Sequence, residues 1–164
     1  MNDLSVEKLD ELKSIVQEEY KSLGKVHCPY LNKEVNFNAK GLDHIKLKEW
    51  NKARLISDQY LRFKFLKLAP EIIKKSHTLQ EYKEGSSFER VKINSRWESK
   101  LFKVCYYGFI AMCKDREVRV KVIVKEIEGR DPFFWSIIPF WKNDNHPLLK
   151  KIKKVFCEGN LEND

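Results

Sequence analysis

The sequence predicts an α+β protein: N-terminal helices packed on a four-stranded antiparallel β-meander, with a short C-terminal helix. Two observations carry that prediction. Apolar residues recur at three- and four-residue spacing in the first half, as an amphipathic helix requires, whereas in Glu117–Ile127 (EVRVKVIVKEI) valines alternate with mostly polar residues, as a half-buried strand requires. In addition, three long strand-like runs separated by short turns follow one another after His77, and consecutive strands so joined pair antiparallel.

From Leu4 to Leu23, the positions Leu9, Leu12, Ile15, Val16, Tyr20 and Leu23 form one apolar helical stripe, ended by Gly24. Lys25–Asn38 holds two β-prone pieces, Val26–Tyr30 and Glu34–Phe37, about a Leu-Asn-Lys turn, and Pro29 demotes the first piece to an edge or irregular segment. LDHIK after Gly41 reads equally as strand or helical turn. From Trp50 to about Ser76 a helix in two parts is expected, with Ser57 or Asp58 capping the second part and Tyr60, Phe63, Leu66 and Leu68 facing inward; Pro70 opens a last short helix, Glu71–Lys75.

The second half begins with a strand at Thr78–Tyr82, interrupted by a Gly85-Ser86-Ser87 loop and a polar stretch, Phe88–Ser99. Leu101–Cys113 is a long aromatic strand, with Lys114-Asp115-Arg116 as the next turn. In Glu117–Ile127, Val118, Val120, Val122 and Val124 line one face and Arg119, Lys121 and Lys125 the other, interrupted by Ile123. Glu128–Asp131 turns into Pro132–Lys142, and His146–Phe156 closes the chain as an amphipathic helix. These elements divide the chain into a helix over 1–24, a single domain over 25–156 and an acidic tail over 157–164.

At 164 residues one core is large enough without staples, and 42% hydrophobic residues argue against disorder. Lys and Arg number 32 against 24 Asp and Glu, a formal charge of +8 that favours polyanionic partners, with the acids gathered at the two ends. The opening MNDLSVEKLDEL is too acidic for a signal or transit peptide, and no apolar run reaches spanning length, so a cytoplasmic protein without membrane contact is expected. The four cysteines form no CxxC pair, which points to neither a disulfide framework nor a zinc knuckle, and no cofactor is expected.

The stretch with the most chemistry is Phe37–Arg54, FNAKGLDHIKLKEWNKAR. It sets one imidazole, His44, among Lys46, Lys48, Lys52 and Arg54, a combination suited to proton transfer beside a phosphodiester. The plain alternative is that His44 merely holds its turn through a backbone hydrogen bond. Arg54 has the planar fork that grips phosphate, or else an ion pair with Asp58 one helical turn on. Arg62 would share its face if the helix is continuous. Lys46 with Arg119, Lys121 and Lys125 would line a nucleic-acid backbone, although each alone reads as a solvated charge. Ser136 is a conspicuous hydroxyl in an aromatic strand, and Trp135 offers a stacking surface or a core side chain.

Three segments together, CPYLNKEVNFNAKGLDHI, DQYLRFKFLKLAPEI following Arg54, and FFWSIIPFW, resemble the phage-associated nucleases grouped with barnase, EndoU, the tRNA-cleaving colicins and RelE, the BECR fold. The resemblance spans about residues 26 to 142. It implies helices followed by a four-stranded antiparallel sheet, and metal-independent RNA cleavage with His44, Arg54 and Ser136 at the matching positions. No second catalytic histidine of the EndoU kind is evident.

The function expected is a metal-independent endoribonuclease acting by 2′-OH transesterification, a toxin or phage-related enzyme. His44 would be its general acid/base, Arg54 and Lys46 would stabilise the phosphate, and Ser136 would bind it; Arg62, Arg119, Lys121, Lys125 and Trp135 would hold the RNA. A toxin of this kind implies an acidic antitoxin or immunity protein over its basic face. The rival is a non-catalytic RNA- or DNA-binding module using the same face. Metal-dependent cleavage would need clustered carboxylates, and Asp115, Glu117 and Glu126 are the only strand-associated acids.

Overall fold

The structure, a computed structural model, describes residues 5–49, 52–113 and 118–141. Helix α1 (Val6–Leu23) starts at Ser5, whose side chain accepts the Lys8 N–H, and stops at Gly24 with a positive φ of 63°. It buries Leu9, Val16 and Tyr20; Ile15, expected inward, lies on the solvent side at 62% exposure. Strands β1 (Lys25–Cys28) and β2 (Lys33–Asn36) form the expected hairpin, with β1 at the sheet edge, where Pro29 beside it does no harm.

The open question at LDHIK resolves as a helix, α2 (Ala39–Lys46), because the Asn38 side chain accepts the Gly41 N–H at 3.2 Å and fixes the first turn. Two very short strands, β3 (Leu47–Glu49) and β4 (Lys52–Ala53), precede α3 (Ile56–Phe65) where a helix was expected to begin. Neither Ser57 nor Asp58 caps α3: Leu55 holds the cap position without a side-chain bond, and Asp58 lies inside the first turn facing two arginines. A 3₁₀ turn at Leu66–Leu68 links to α4 (Ala69–Lys75), which carries Pro70 in its first turn as expected.

The Gly85-Ser86-Ser87 interruption does not exist. Strand β5 runs unbroken from Glu81 to Ile93 and pairs residue for residue with β6 (Arg96–Cys113). Asn94 and Ser95, both at positive φ (48° and 65°), make the two-residue turn whose twist matches a hairpin. Strands β7 (Val118–Ile127) and β8 (Phe133–Trp141) complete the antiparallel set.

The expected four-stranded meander is thus part of a six-stranded mixed sheet, ordered β1-β2-β8-β7-β6-β5. The extra pair joins through a parallel bridge between Asn36 and Phe133. The sheet curls into a half-barrel. The turn at 114–116, the helix at 146–156 and the acidic tail lie outside the described residues.

Alternation in β7 separates two environments. Val118, Val120, Val122 and Val124 meet α1, α3 and α4 through Leu9, Val16, Tyr20, Phe63 and Ile73, all buried. The opposite, concave face holds a smaller cluster of Val104, Tyr106, Ile123, Ile127, Phe133 and Ile138. Lys121 and Lys125, expected with Arg119 to line a nucleic-acid backbone, are buried within this concave face, whereas Arg119 is exposed. Among the described residues no helix is long and apolar enough to cross a membrane.

Helix α2 lies close against β8 because residue 41 is glycine. A Cβ there would collide with the Phe134 carbonyl oxygen and stand 2.9 Å from the Tyr20 hydroxyl. An exposed helical glycine normally gains about 0.5–1 kcal/mol on replacement by alanine. Here Gly41→Ala is expected to reverse that sign and cost about 1–3 kcal/mol through overpacking, read from urea unfolding; a neutral or stabilising result would show that α2 does not need this close approach.

Candidate functional site

Close docking of α2 sets His44, one turn after Gly41, face to face with Trp135 of β8: the ring centroids are 4.0 Å apart at 21°. Trp135 is where β8 gains a residue. Phe134 stands opposite Val124 and Ser136 opposite Ile123, so Trp135 falls between the two registers as a bulge. This bulge breaks the alternation, so Trp135 and the adjacent Ser136 both contact groups on the concave side.

Arg54, just ahead of α3, is buried and knots three elements together. Its Nε donates to the His44 carbonyl at 3.0 Å, one terminal nitrogen lies 3.2 Å from His44 Nε2, and the other lies 3.4 Å from Asp58. A guanidinium has no acceptor, so in this arrangement Nε2 accepts and the imidazole proton sits on Nδ1. The Arg54 main chain is held as tightly: its N–H donates to the Lys46 carbonyl at 2.9 Å, and its carbonyl accepts from Gln59 Nε2 at 2.8 Å. The Gln59 Oε1 is buried and has no hydrogen-bond partner among the described residues.

Asp58 joins this arginine to a second. One carboxylate oxygen faces Arg54, and the other accepts from Arg62 Nε at 2.7 Å. Arg62 in turn donates to Ser136 Oγ at 2.6 Å, so a continuous chain runs His44–Arg54–Asp58–Arg62–Ser136 across α2, α3 and β8. Arg62 and Ser136 form its inner end, at 2% and 0% exposure, whereas the Asp58 side chain retains 26%.

Beyond Trp135 the concave face is lined by paired charges. The Lys125 ammonium stands 4.4 Å from the Trp135 ring centre and 3.8 Å from Glu89 of β5. Glu89 also meets Lys40 of α2 at 3.3 Å, which ties β5 to α2 across the curl. Burial pushes the Glu89 carboxyl up, but the Ser87 hydroxyl and the Lys40 and Lys125 ammoniums outweigh it and hold the group below its ordinary value. Farther along, Lys121 is fully buried and bonds Glu81 at 3.1 Å.

Of the residues expected in a site, the structure brings together His44, Arg54, Arg62, Ser136, Trp135 and Lys125. Lys46 is half-buried at the end of α2, two residues beyond His44, and its carbonyl anchors Arg54. Lys121 sits apart with Glu81, and Arg119 is exposed. The ion pair of Arg54 with Asp58, expected as the alternative to a phosphate grip, is present; sequence reasoning missed that Asp58 also holds Arg62, and missed the contributions of Gln59, Lys40 and Glu89. The i, i+4 spacing of Arg54, Asp58 and Arg62 was the available signal for the first.

Among the described residues no three His, Cys, Asp or Glu side chains stand close enough to hold a metal ion. Comparison with family models, curated proteins and solved structures gives no match to this chain.

Removing the shared carboxylate leaves two buried guanidiniums facing each other. Asp58→Ala is expected to cost about 2–3 kcal/mol, the partial exposure of Asp58 placing it below a fully buried pair. A loss under about 0.5 kcal/mol in urea unfolding would show that the arginines are held without it.

A pH dependence follows from Glu89. Because its folded pKa is depressed, its stabilisation is complete above the ordinary glutamate range and is lost as pH falls through the folded value. The stability gap between wild type and Glu89→Gln is therefore expected to shrink as pH drops below about 4. A gap constant from pH 7 to 3 would sink this assignment.

Proposed function

We propose that this protein is a metal-independent endoribonuclease whose site is the His44–Arg54 pair at the outer end of the buried polar chain. The observation that supports the reading is convergence: an imidazole, two guanidiniums, an ammonium and an aromatic ring, drawn from α2, α3 and the segment just before it, β7 and β8, meet on the concave face of one curled sheet. Likeness of CPYLNKEVNFNAKGLDHI, DQYLRFKFLKLAPEI and FFWSIIPFW to the BECR nucleases adds to it.

In this reading the substrate phosphate draws Arg54 away from His44. The freed Nε2 then takes the proton from the ribose 2′-OH, the 2′-oxygen bonds to phosphorus, and the bond to the 5′-oxygen breaks as that oxygen takes a proton from solvent. The products are a 2′,3′-cyclic phosphate and a 5′-hydroxyl. Arg54 and Lys46 offset the charge that develops on the phosphoryl oxygens, and Lys125 adds to the field. Arg62 and Ser136 lie deeper and act through Asp58, as positioning residues that keep Arg54 aimed. The excess of cations also suits the protein to an acidic inhibitor protein.

One observation favours the rival reading, an RNA- or DNA-binding module. Nε2 of His44 is already engaged by Arg54, which suits a group that shapes a site as well as one that moves a proton.

The test is incubation with total RNA and with tRNA in excess EDTA, scoring 2′,3′-cyclic phosphate ends. Wild type is expected to cleave, His44→Ala to lose activity, and Arg54→Lys, which keeps the charge without the fork, to fall about 10²–10³-fold with the fold intact by thermal melting. Absence of cyclic ends with wild type on both RNAs, alongside salt-sensitive RNA binding, would replace the nuclease with the binding module.

A further inference from the structure

Strands β5 and β6 continue well past the rest of the sheet. Pairing between β6 and β7 ends at Val104–Ile127, whereas β5 and β6 remain paired through eight more positions, from Ser86–Lys103 to Ile93–Arg96. The result is a two-stranded arm about 25 Å long. Such a ribbon is marginal in water unless something covers a face.

Cross-strand partners point to the same side, so the register defines two faces. The inner face carries Glu89, which anchors the arm to Lys40 of α2, together with Val91, Ile93, Glu98 and Lys100. The outer face consists of Ser86, Phe88, Arg90 and Lys92 opposite Lys103, Leu101, Ser99 and Trp97. Three of these eight are cations, none is an acid, and three are large apolar side chains left in solvent: Phe88 at 73%, Trp97 at 62% and Leu101 at 59% exposure. Arg90 lies 6.0 Å from the Trp97 ring centre, and neither it nor Lys92 has a carboxylate partner among the described residues. The acids resume at the arm's base, where Glu84 holds Lys103 at 3.2 Å.

We propose that the outer face of this arm binds single-stranded RNA, gripping nucleotides that flank the segment delivered to the concave site. The proposal rests on the nuclease reading only for that last clause. Exposed aromatic rings interleaved with unpaired cations, on a face without carboxylates, match the two repeating features of a single strand: bases with open faces and a phosphate at every step. Cations two residues apart on a strand are about 7 Å apart, comparable to successive phosphates of an extended chain. A duplex hides its base faces, so the aromatic pair favours unpaired RNA. An acidic protein would match the charge but not the stacking surface.

The experiment is fluorescence anisotropy of a labelled 20-nucleotide 2′-O-methyl oligouridylate, which resists 2′-OH cleavage, run beside a duplex of equal length and an acidic polypeptide, polyglutamate. Wild type is expected to bind the single strand in a salt-sensitive way and the duplex more weakly. Phe88→Thr with Trp97→Thr is expected to weaken binding tenfold or more, and so is Arg90→Gln with Lys92→Gln, which leaves the aromatic pair in place should the first variant disturb the arm. Thermal melting checks both folds.

Unchanged affinity in both variants, preference for the duplex, or binding of polyglutamate but not RNA would overturn the proposal. Cleavage assays separate it from the nuclease reading. Arm-dependent RNA binding without cyclic-phosphate products removes the nuclease and keeps the arm. In an active enzyme, arm variants are expected to raise KM with kcat unchanged, and cleavage indifferent to the arm would remove the arm and keep the nuclease.

Discussion

Asp58 holds the centre of this structure, because its two carboxylate oxygens engage both Arg54 and Arg62. Two guanidiniums placed this deep repel each other and lose hydration, and a carboxylate between them compensates both at once. Its position in the first turn of α3 also sets it near the positive end of the helix, where a carboxylate is favoured. From that anchor the arginines point in opposite directions, one toward the His44 ring of α2 and the other to the Ser136 hydroxyl of β8. One ion-pair triad therefore fixes how two helices meet the sheet.

The sheet answers with two local irregularities. Gly41 allows α2 within van der Waals reach of the β8 backbone, and the bulge at Trp135 turns two successive side chains toward the concave face. Without the bulge, strict alternation would send Trp135 to the face opposite Ser136, among the valines that pack under α1. The stack of His44 on Trp135 and the bond of Arg62 to Ser136 would then be incompatible. Backbone irregularity at this point is what lets a single strand contribute both an aromatic wall and a hydroxyl to the same polar chain.

How much of this was legible depended on whether the governing contacts were local. The valine alternation in β7, the stripe of α1 and the β1–β2 hairpin follow from neighbours within a few residues, and the sequence displays them directly. His44, Arg54, Arg62, Ser136 and Trp135 stood out by residue type, but what joins them is packing between distant segments. The pairing of Asp58 with Arg54 was legible from their spacing, but its simultaneous hold on Arg62 was not. The β5–β6 hairpin was hidden for another reason: Gly85, Ser86 and Ser87 are turn formers by composition, yet in a strand their small side chains are tolerated, and the turn falls instead on Asn94-Ser95. Lys121 and Lys125 show the limit of alternation as a guide, since it places them opposite the valines without revealing that the sheet curls over them.

The curl also decides where the excess positive charge is displayed. On the concave face each prominent cation stands beside an acid: Arg54 and Arg62 with Asp58, Lys121 with Glu81, and Lys40 and Lys125 with Glu89. Five such cations against three acids leave these groups at a net of +2, a small part of the formal +8, and a charge beside its counterion attracts a distant polyanion less than a lone one does. The formal charge of +8 must therefore act mainly through cations elsewhere, and the arm presents Arg90 and Lys92 together on a face without acids. In the proposed nuclease, recruitment and local chemistry would then fall to different parts of the molecule. An exposed cationic surface would draw the anion in, while the inner arginines, held by a carboxylate, would become available to a phosphate only when it is close enough to compete for them. That division makes a buried, paired arginine compatible with a phosphate site: the pairing that weakens long-range attraction is also what keeps the guanidinium in position at short range.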